Sequence, residues 1–338
     1  MRFRRKVQIV GGSTYIISLP KEWVERVNLR QGSELLVEVM PDLSLKILSE
    51  DVLSKAGDEV SEYRIDFMPG NTEFFIAKVI ASYVTGYDKI VIKYPNITSK
   101  ELSEVMDLIS KKTIGLEVVE EGQDYIALQC LASLSTLSLR EVLRKIISLS
   151  EDSFKDIENY FITGNAVLLD RVVERDDLID KLYLYGLRQL NHVLLGKTTL
   201  AEIGLNNPAE ILYLVFILKT LERIADHLFN IAKQLKEIQA VGKIIQLENL
   251  IKELKRNYSF ITNYIPIKFK AESLDELGKL LTKLKAIEAA PYVGDFPHSE
   301  YVSLRESVKR ISAYLRDLIE IILDNYALKD LISSTSRQ

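Results

Sequence analysis

The sequence predicts a multidomain chain with a small β-rich head, an α/β middle region and an all-α body. Three observations carry that expectation. At 338 residues the chain exceeds one ordinary domain. The period of its apolar residues changes twice, from short β-type runs, to strands alternating with helices, to helical period alone. Its 15 Gly and 8 Pro are few for that length, and 47% apolar with 27% charged residues is the composition of a folded, helix-rich protein.

Over residues 6–49 the runs KVQIV, TYIISL, ELLVEV and SLKIL read as strands around one short helix, PKEWVERVNL. Pro20 opens that helix, where a missing amide is harmless, and Gly32 of RQGSE is expected to end it. Residues 1–50 are therefore assigned to the head.

Residues 51–133 are assigned to the middle domain. YRIDF, KIVIKY and LEVVEE read as strands, NTEFFIAKVIASYVTG and TSKELSEVMDLISKKTIG as helices. The second helix carries a capping box, Thr98 with Glu101, and the two helices end near Gly86 and Gly115. DYIALQCL pairs with LEVVEE as a hairpin turned at Gly122, giving the order β-α-β-α-β-β.

Residues 134–330 form the helical body. Ser138 with Glu141, Asn207-Pro208 with Glu210, and Ser273 with Glu276 mark starts, while Gly164, Gly204, Gly242 and the loop APYVGDFP mark breaks. Six helices of roughly 18 to 30 residues follow, in two sets of three (about 137–238 and 243–328) that pack as antiparallel bundles. The sets hint at a repeat. Ile224, Leu228 and Ile231 of the third helix align with Ile311, Leu315 and Leu318 of the sixth, but Glu222 meets Lys309 and Asp226 meets Ala313.

No apolar run approaches the ~20 residues a bilayer span needs, the longest being ILYLVFIL, and MRFRRK is not followed by the apolar segment of a signal peptide. A cytoplasmic protein without a transmembrane segment is expected. The single cysteine, Cys130, excludes an internal disulfide and reads as a small core residue. Charge is unevenly spread. The first 30 residues hold seven basic side chains against two acidic, a balance of +5, so with a net charge of −4 the remainder carries −9. A basic head on an acidic body implies that only the head meets polyanions.

The chemistry-bearing pattern lies in the second and third helices of the body. At ~100° per residue, Val172, Ile179, Leu182, Tyr183, Leu187 and Leu190 define the apolar arc of the second, and Asp176 and Asp180 fall inside it. On the third, Glu222 and Asp226 flank the arc of Leu218, Leu221, Ala225, Leu228, Phe229, Ala232 and Leu235. An ionised carboxylate buried without compensation costs several kcal/mol, so such groups are paired, protonated or bound to a cation. Two i,i+4 pairs on neighbouring helices suit a metal ion or small cluster held by hard oxygen ligands, with iron, Mg, Mn or Zn as candidates. The competing reading pairs these acids with Arg175, Arg188 or Arg223. Glu-x-x-His, the di-iron bundle spacing, does not occur, and His192, His227 and His298 form no ligand set. His192 and His227 lie off the apolar arcs and read as solvated. The sequence contains no P-loop, no dinucleotide fingerprint, no nucleophile elbow and no H-E-x-x-H, which weighs against an enzyme.

In the head, Arg2, Arg4, Arg5 and Lys6 crowd the first strand, and Arg26 and Arg30 follow from the short helix and its exit. Such clusters bind phosphate backbones through counterion release, and Arg additionally reads guanine edges.

The stretch KVQIVGGSTYIISLPKEWVERVNLRQGSELLVEVMPDLSLKILSE resembles the AbrB/MazE/SpoVT swapped-hairpin family: a strand into Gly12, the passage YIISLPKEW through Pro20, and VNLRQGSELLVEV with Leu29 and Gly32. That resemblance implies a swapped-hairpin β-barrel, a homodimer through residues 1–50, and DNA binding by Arg4, Arg5 and Lys6. Ser33-Glu34 departs from the family's usual continuation. Residues 138–329 are similar to the PhoU family of phosphate uptake regulators. VVERDDLIDKLYLYGLRQL and LERIADHLFNIAKQL match its signature helices, including its metal motifs at Asp176/Asp180 and Glu222/Asp226. The resemblance implies two three-helix repeats, a metal site, and contact with phosphate ABC transporter subunits at the membrane. The combination resembles an archaeal type of PhoU protein. Because the second repeat departs at Lys309 and Ala313, one metal site per chain is expected.

Two functions from different classes follow. The first is a dimeric DNA-binding regulator of phosphate uptake and homeostasis with a metal-binding body. The second is an adaptor that does not bind DNA and inhibits a Pst-type phosphate transporter through protein contacts, its head serving only to dimerise.

Overall fold

A computed structural model describes residues 2–39, 44–49, 60–67, 70–94, 99–132, 137–205, 207–238, 245–265, 274–289 and 299–335. The chain divides into two compact units, Met1–Val60 and Ser61–Gln338.

The first unit is strand-rich. β1 (Gln8–Val10) pairs antiparallel with β2 (Thr14–Ile16), and β3 (Leu35–Val39) with β4 (Leu45–Ser49). Gly11 and Gly12, at φ 65° and 82°, turn β1 into β2 through backbone that only glycine enters freely. Pro20 caps α1 (Lys21–Arg26). The helix ends at Asn28 rather than at Gly32: Asn28 sits at φ 53°, its amide donates to Glu25 and the Leu29 amide donates back to Val24, a Schellman turn. Asparagine tolerates this left-handed position, so the helix stops four residues before the glycine. The basic cluster also sits differently from the expectation. Arg2, Arg4, Arg5 and Lys6 precede β1 instead of lying on it, because β2 ends at Ile16, the partner of Gln8, and offers no ladder further back. Among the described residues of this unit no hydrophobic side chain is buried, and Val7, Ile9, Val10, Tyr15, Leu36, Val37 and Val39 are exposed.

The second unit joins the α/β layer and the helices. β5 (Glu62–Asp66), α2 (Thr72–Thr85), β6 (Lys89–Lys93), α3 (Ser99–Ser110), β7 (Leu116–Glu121) and β8 (Tyr125–Cys130) follow the expected β-α-β-α-β-β order. The sheet order is β5-β6-β8-β7; β5 and β6 are parallel, the other pairs antiparallel. Ile65, Ile90, Ile92, Ile126 and Leu128 are buried, and half-buried Cys130 packs against the same core. The capping box proposed at Thr98 lies outside the described residues.

Among the described residues six α-helices make the body: α4 (Leu139–Thr163), α5 (Val167–Leu194), α6 (Glu210–Ile238), α7 (Ile245–Thr262), α8 (Leu274–Ala289) and α9 (Ser299–Thr335). They run from 16 to 37 residues, a wider range than the sequence spacing implied. Ser138 and Glu141 form the expected box. At the start of α6, Asn207 accepts from the Ala209 amide while Glu210 accepts from the Asn207 amide. The start expected at Ser273 lies outside the described residues. α4, α5 and α6 pack on one another, and α9 runs antiparallel along α6, with Gln234 bonded to Ser303 and His227 against Tyr314. The six repeat-related residues, Ile224, Leu228, Ile231, Ile311, Leu315 and Leu318, are all buried. No described helix is long and apolar enough to cross a membrane.

α5 belongs to both layers. From its C-terminal half, the buried Arg188 guanidinium donates to the Tyr83 carbonyl at 2.5 Å and Asn191 donates to Val84 at 2.9 Å. Just beyond its end, Lys197 donates to the Gly86 carbonyl and to Asp88, both at 2.8 Å. Side chains of the body thereby add to the amides of Gly86 and Tyr87 in capping the last carbonyls of α2. His192, expected in solvent, is only 9% exposed. The wheel of α5 alone misses the second surface that the α/β layer lays over it. His227 is half-buried for a parallel reason, α9 covering its face of α6. His298 lies outside the described residues.

Candidate metal centre

Asp176 and Asp180 stand one turn apart on α5, Glu222 and Asp226 one turn apart on α6. Close helix approach brings them face to face. A Cβ on Gly186 would lie 3.0 Å from Leu218 Cδ1 and 3.4 Å from Val142 Cγ1, so glycine at this point lets α5 settle tightly against α6 and α4. Asp180, Glu222 and Asp226 then each offer a carboxylate oxygen within 4.8 Å of the others. Two oxygens bound at ~2.0–2.5 Å to one cation stand at most ~5 Å apart, so this spacing fits a single ion with hard oxygen ligands.

Asp176 is not in that trio but adjoins it. Its Oδ1 is buried without a hydrogen bond. Burial, and after it the charges of Asp180, Asp226, Asp177 and Glu222, push its carboxyl up to about 7. Asp226 is pushed up to about 6 by burial and then by Glu222 and Asp180, with Lys219 and Arg223 opposing. Four acids crowd one another here more than their surroundings relieve, which is the electrostatic condition that a cation would remedy.

The sequence placed Asp176 and Asp180 deepest, but the structure reverses this: Glu222 is 8% exposed and both aspartates of α5 are half-buried. α6 is packed by α4, α5 and α9 at once, so its buried face is wider than the apolar arc alone and takes in Glu222. The cations beside the acids also differ from two of the three expected. Arg175 pairs with Asp156 at 2.6 Å and Arg188 is committed to Tyr83; of the three only Arg223 borders the site, 3.9 Å from Glu222 and 4.0 Å from Asp226. The closer partners are lysines. Lys219 Nζ lies 2.8 Å from both Glu222 oxygens, hydrogen-bonding Oε1, and packs over the Tyr183 ring. Lys112, in the turn after α3, lies 3.0 Å from Asp180. Lys219 was legible three residues before Glu222 on the same helix. Lys112, 68 residues from its partner, carried no local signal.

In the head, Arg2, Arg4, Arg5, Lys6, Arg26 and Arg30 are all exposed. Arg5 lies over the Phe3 ring and bonds to the Arg4 carbonyl.

Residues 143–235 match the family model described as PhoU domain. The chain carries a PhoU domain. That domain runs from early α4 to late α6 and contains both acidic pairs. Residues 8–51 match a second model, described as antidote-toxin recognition MazE, bacterial antitoxin, which takes in the four strands and the short helix of the head. No curated protein and no solved structure matches the chain. A MazE-type domain followed in sequence by a PhoU domain agrees with the families that the sequence resembles.

Proposed function

We propose that the protein is a dimeric DNA-binding regulator of phosphate homeostasis, in which the MazE-type head binds DNA and the PhoU domain holds a metal ion. The observation that carries the reading is the head's composition in space. Its described hydrophobic residues are all exposed to some degree, and six basic residues are exposed on its surface. A module that buries no apolar side chain by itself needs a second copy to make a core, and interleaving two heads doubles the basic surface offered to a phosphate backbone. In the body, Asp180, Glu222 and Asp226 are assigned as ligands, with Asp176 beside them. The ion would cross-link α5 to α6 and neutralise the crowded acids. Lys309 and Ala313 stand where a second repeat would need carboxylates, so one site per chain is proposed. The head and body roles are those of a regulator, not a catalyst.

Salt-dependent retention of DNA by the full-length chain tests the proposal. Each phosphate contact contributes a slope of about −0.9 in log affinity against log salt, so Arg4→Ala/Arg5→Ala should flatten the slope by roughly 2 and weaken binding. Wild-type protein that retains no DNA at low ionic strength, yet captures phosphate-transporter subunits, would replace this reading with the adaptor.

A further inference from the structure

Among the described residues, Lys112 is the one cation beside the acidic cluster that does not come from α5 or α6. It sits in the turn that closes α3, where its amide donates to Ile109 and the neighbouring Thr113 hydroxyl donates to the same carbonyl. The backbone of the turn is therefore fixed, and the side chain reaches from the α/β layer to Asp180, 3.0 Å away and about half exposed. Desolvation works against its charge. The hydrogen bond to Asp180 and the nearby carboxylates Asp177 and Asp176 outweigh it and hold the ammonium above its ordinary range.

The α/β layer thus touches α5 at two places of different character. Near the C-terminus of α5 the attachment is buried and multiple, through Arg188, Asn191, His192 and Lys197. At Asp180, eight residues or about 12 Å nearer the N-terminus, the described attachment is one ion pair, about half exposed on its lysine side. Exposed pairs are weak, and a dication on the same carboxylate repels the ammonium.

We propose that Lys112 is the centre's built-in counter-ion, so that loading a divalent cation onto Asp180, Glu222 and Asp226 displaces Lys112 and frees this end of the α/β layer while its other end stays anchored. The inference rests on the metal-binding reading and makes the α/β layer the element that senses occupancy. Lys219 is no rival for this role, because it lies on the same helix as its partner Glu222 and its movement would shift no second layer.

Titration with Mn²⁺ alone tests it, on the full-length wild type, Lys112→Met, Lys112→Arg and Asp180→Asn. Lys112→Met should bind Mn²⁺ about 3- to 10-fold more tightly than wild type, Lys112→Arg should match wild type, and Asp180→Asn should bind more weakly than either. In hydrogen exchange, Mn²⁺ should accelerate the amides of residues 111–115 in the wild type, leave those of residues 83–88 unchanged, and have no such effect in Lys112→Met. Equal or weaker binding by Lys112→Met, or Mn²⁺ that leaves residues 111–115 of the wild type unchanged, would overturn the counter-ion role while leaving the metal centre standing. No Mn²⁺ binding by wild type and Lys112→Met alike would overturn the centre and the inference together.

Discussion

The imidazole of His192 should make the junction between the α/β layer and α5 acid-sensitive. The ring is 9% exposed, its Nε2 has no hydrogen-bond partner, and the charged groups facing it are Arg188, Lys197 and Asp88. Burial, then the cations Arg188 and Lys197, hold its pKa down at about 4, with Asp88 opposing. The unfolded chain titrates near 6.5 and so binds the proton first. Folding is therefore unpenalised above pH 6.5 and loses stability as the pH falls from there towards 4. At pH 5 the loss from this one group is roughly 2 kcal/mol, and its full value is about 3 kcal/mol for a shift of this size. Asp176 and Asp226 carry raised pKa values and act in the opposite direction, being relieved as the pH falls. Total stability is thus a poor readout, and the comparison must be between wild type and His192→Gln. Urea unfolding of both at pH 7.5 and pH 5.0 should show the variant losing about 2 kcal/mol less than wild type over that interval, whatever its cost at pH 7.5. Parallel losses in the two proteins would mean that the ring protonates without leaving its site, and the burial argument would be wrong.

Three further outcomes follow from the same contacts. Gly86→Ala should destabilise by about 2 kcal/mol or more, since the residue sits at φ 97° and its new Cβ would fall 2.9 Å from His192 Cδ2; thermal melts measure it. Arg188→Met should cost about 1–3 kcal/mol, because it removes a buried charge-assisted hydrogen bond and leaves the Tyr83 carbonyl with the Gly86 amide alone, and limited proteolysis should cut the α/β layer faster in the variant. Protein purified without chelators should contain metal by elemental analysis, and Asp180→Ala/Asp226→Ala should contain markedly less; equal contents would remove the centre.

Local patterns in the sequence located the elements well. The order of the α/β layer, six body helices and the Ser138–Glu141 box were all legible, because each depends on residues within a few positions of one another. The two acidic pairs were legible for the same reason, each pair spanning one helical turn. Their relative depth was not. A helical wheel reports the apolar face of a helix as if it had one partner, whereas α6 has three and α5 is shared between layers, so Glu222 and His192 are deeper than their own helices imply. The stop of α1 at Asn28 was missed because a glycine lay within reach and an asparagine was doing its work. Lys112 and Lys197 illustrate the remaining gap: both are ordinary lysines in the sequence, and only the docking of the α/β layer on α5 gives them partners.

That docking makes α5 the mechanical centre of the larger unit. Along one rod it presents Asp176 and Asp180 to α6, Gly186 to the tightest helix crossing, and Arg188, Asn191 and His192 to α2. The acidic end is under electrostatic load, with the Asp176 carboxyl raised to about 7 and that of Asp226, facing it from α6, to about 6, and the other end is closed by buried hydrogen bonds to backbone carbonyls. On the proposed displacement of Lys112, a change at Asp180 would loosen one end of the layer that the other end of α5 holds. The weak contact in that arrangement is the Lys112–Asp180 pair. It is also the only described ion pair that ties the α/β layer to the acidic cluster, so the proposed ion would act on the layer at its least secured point.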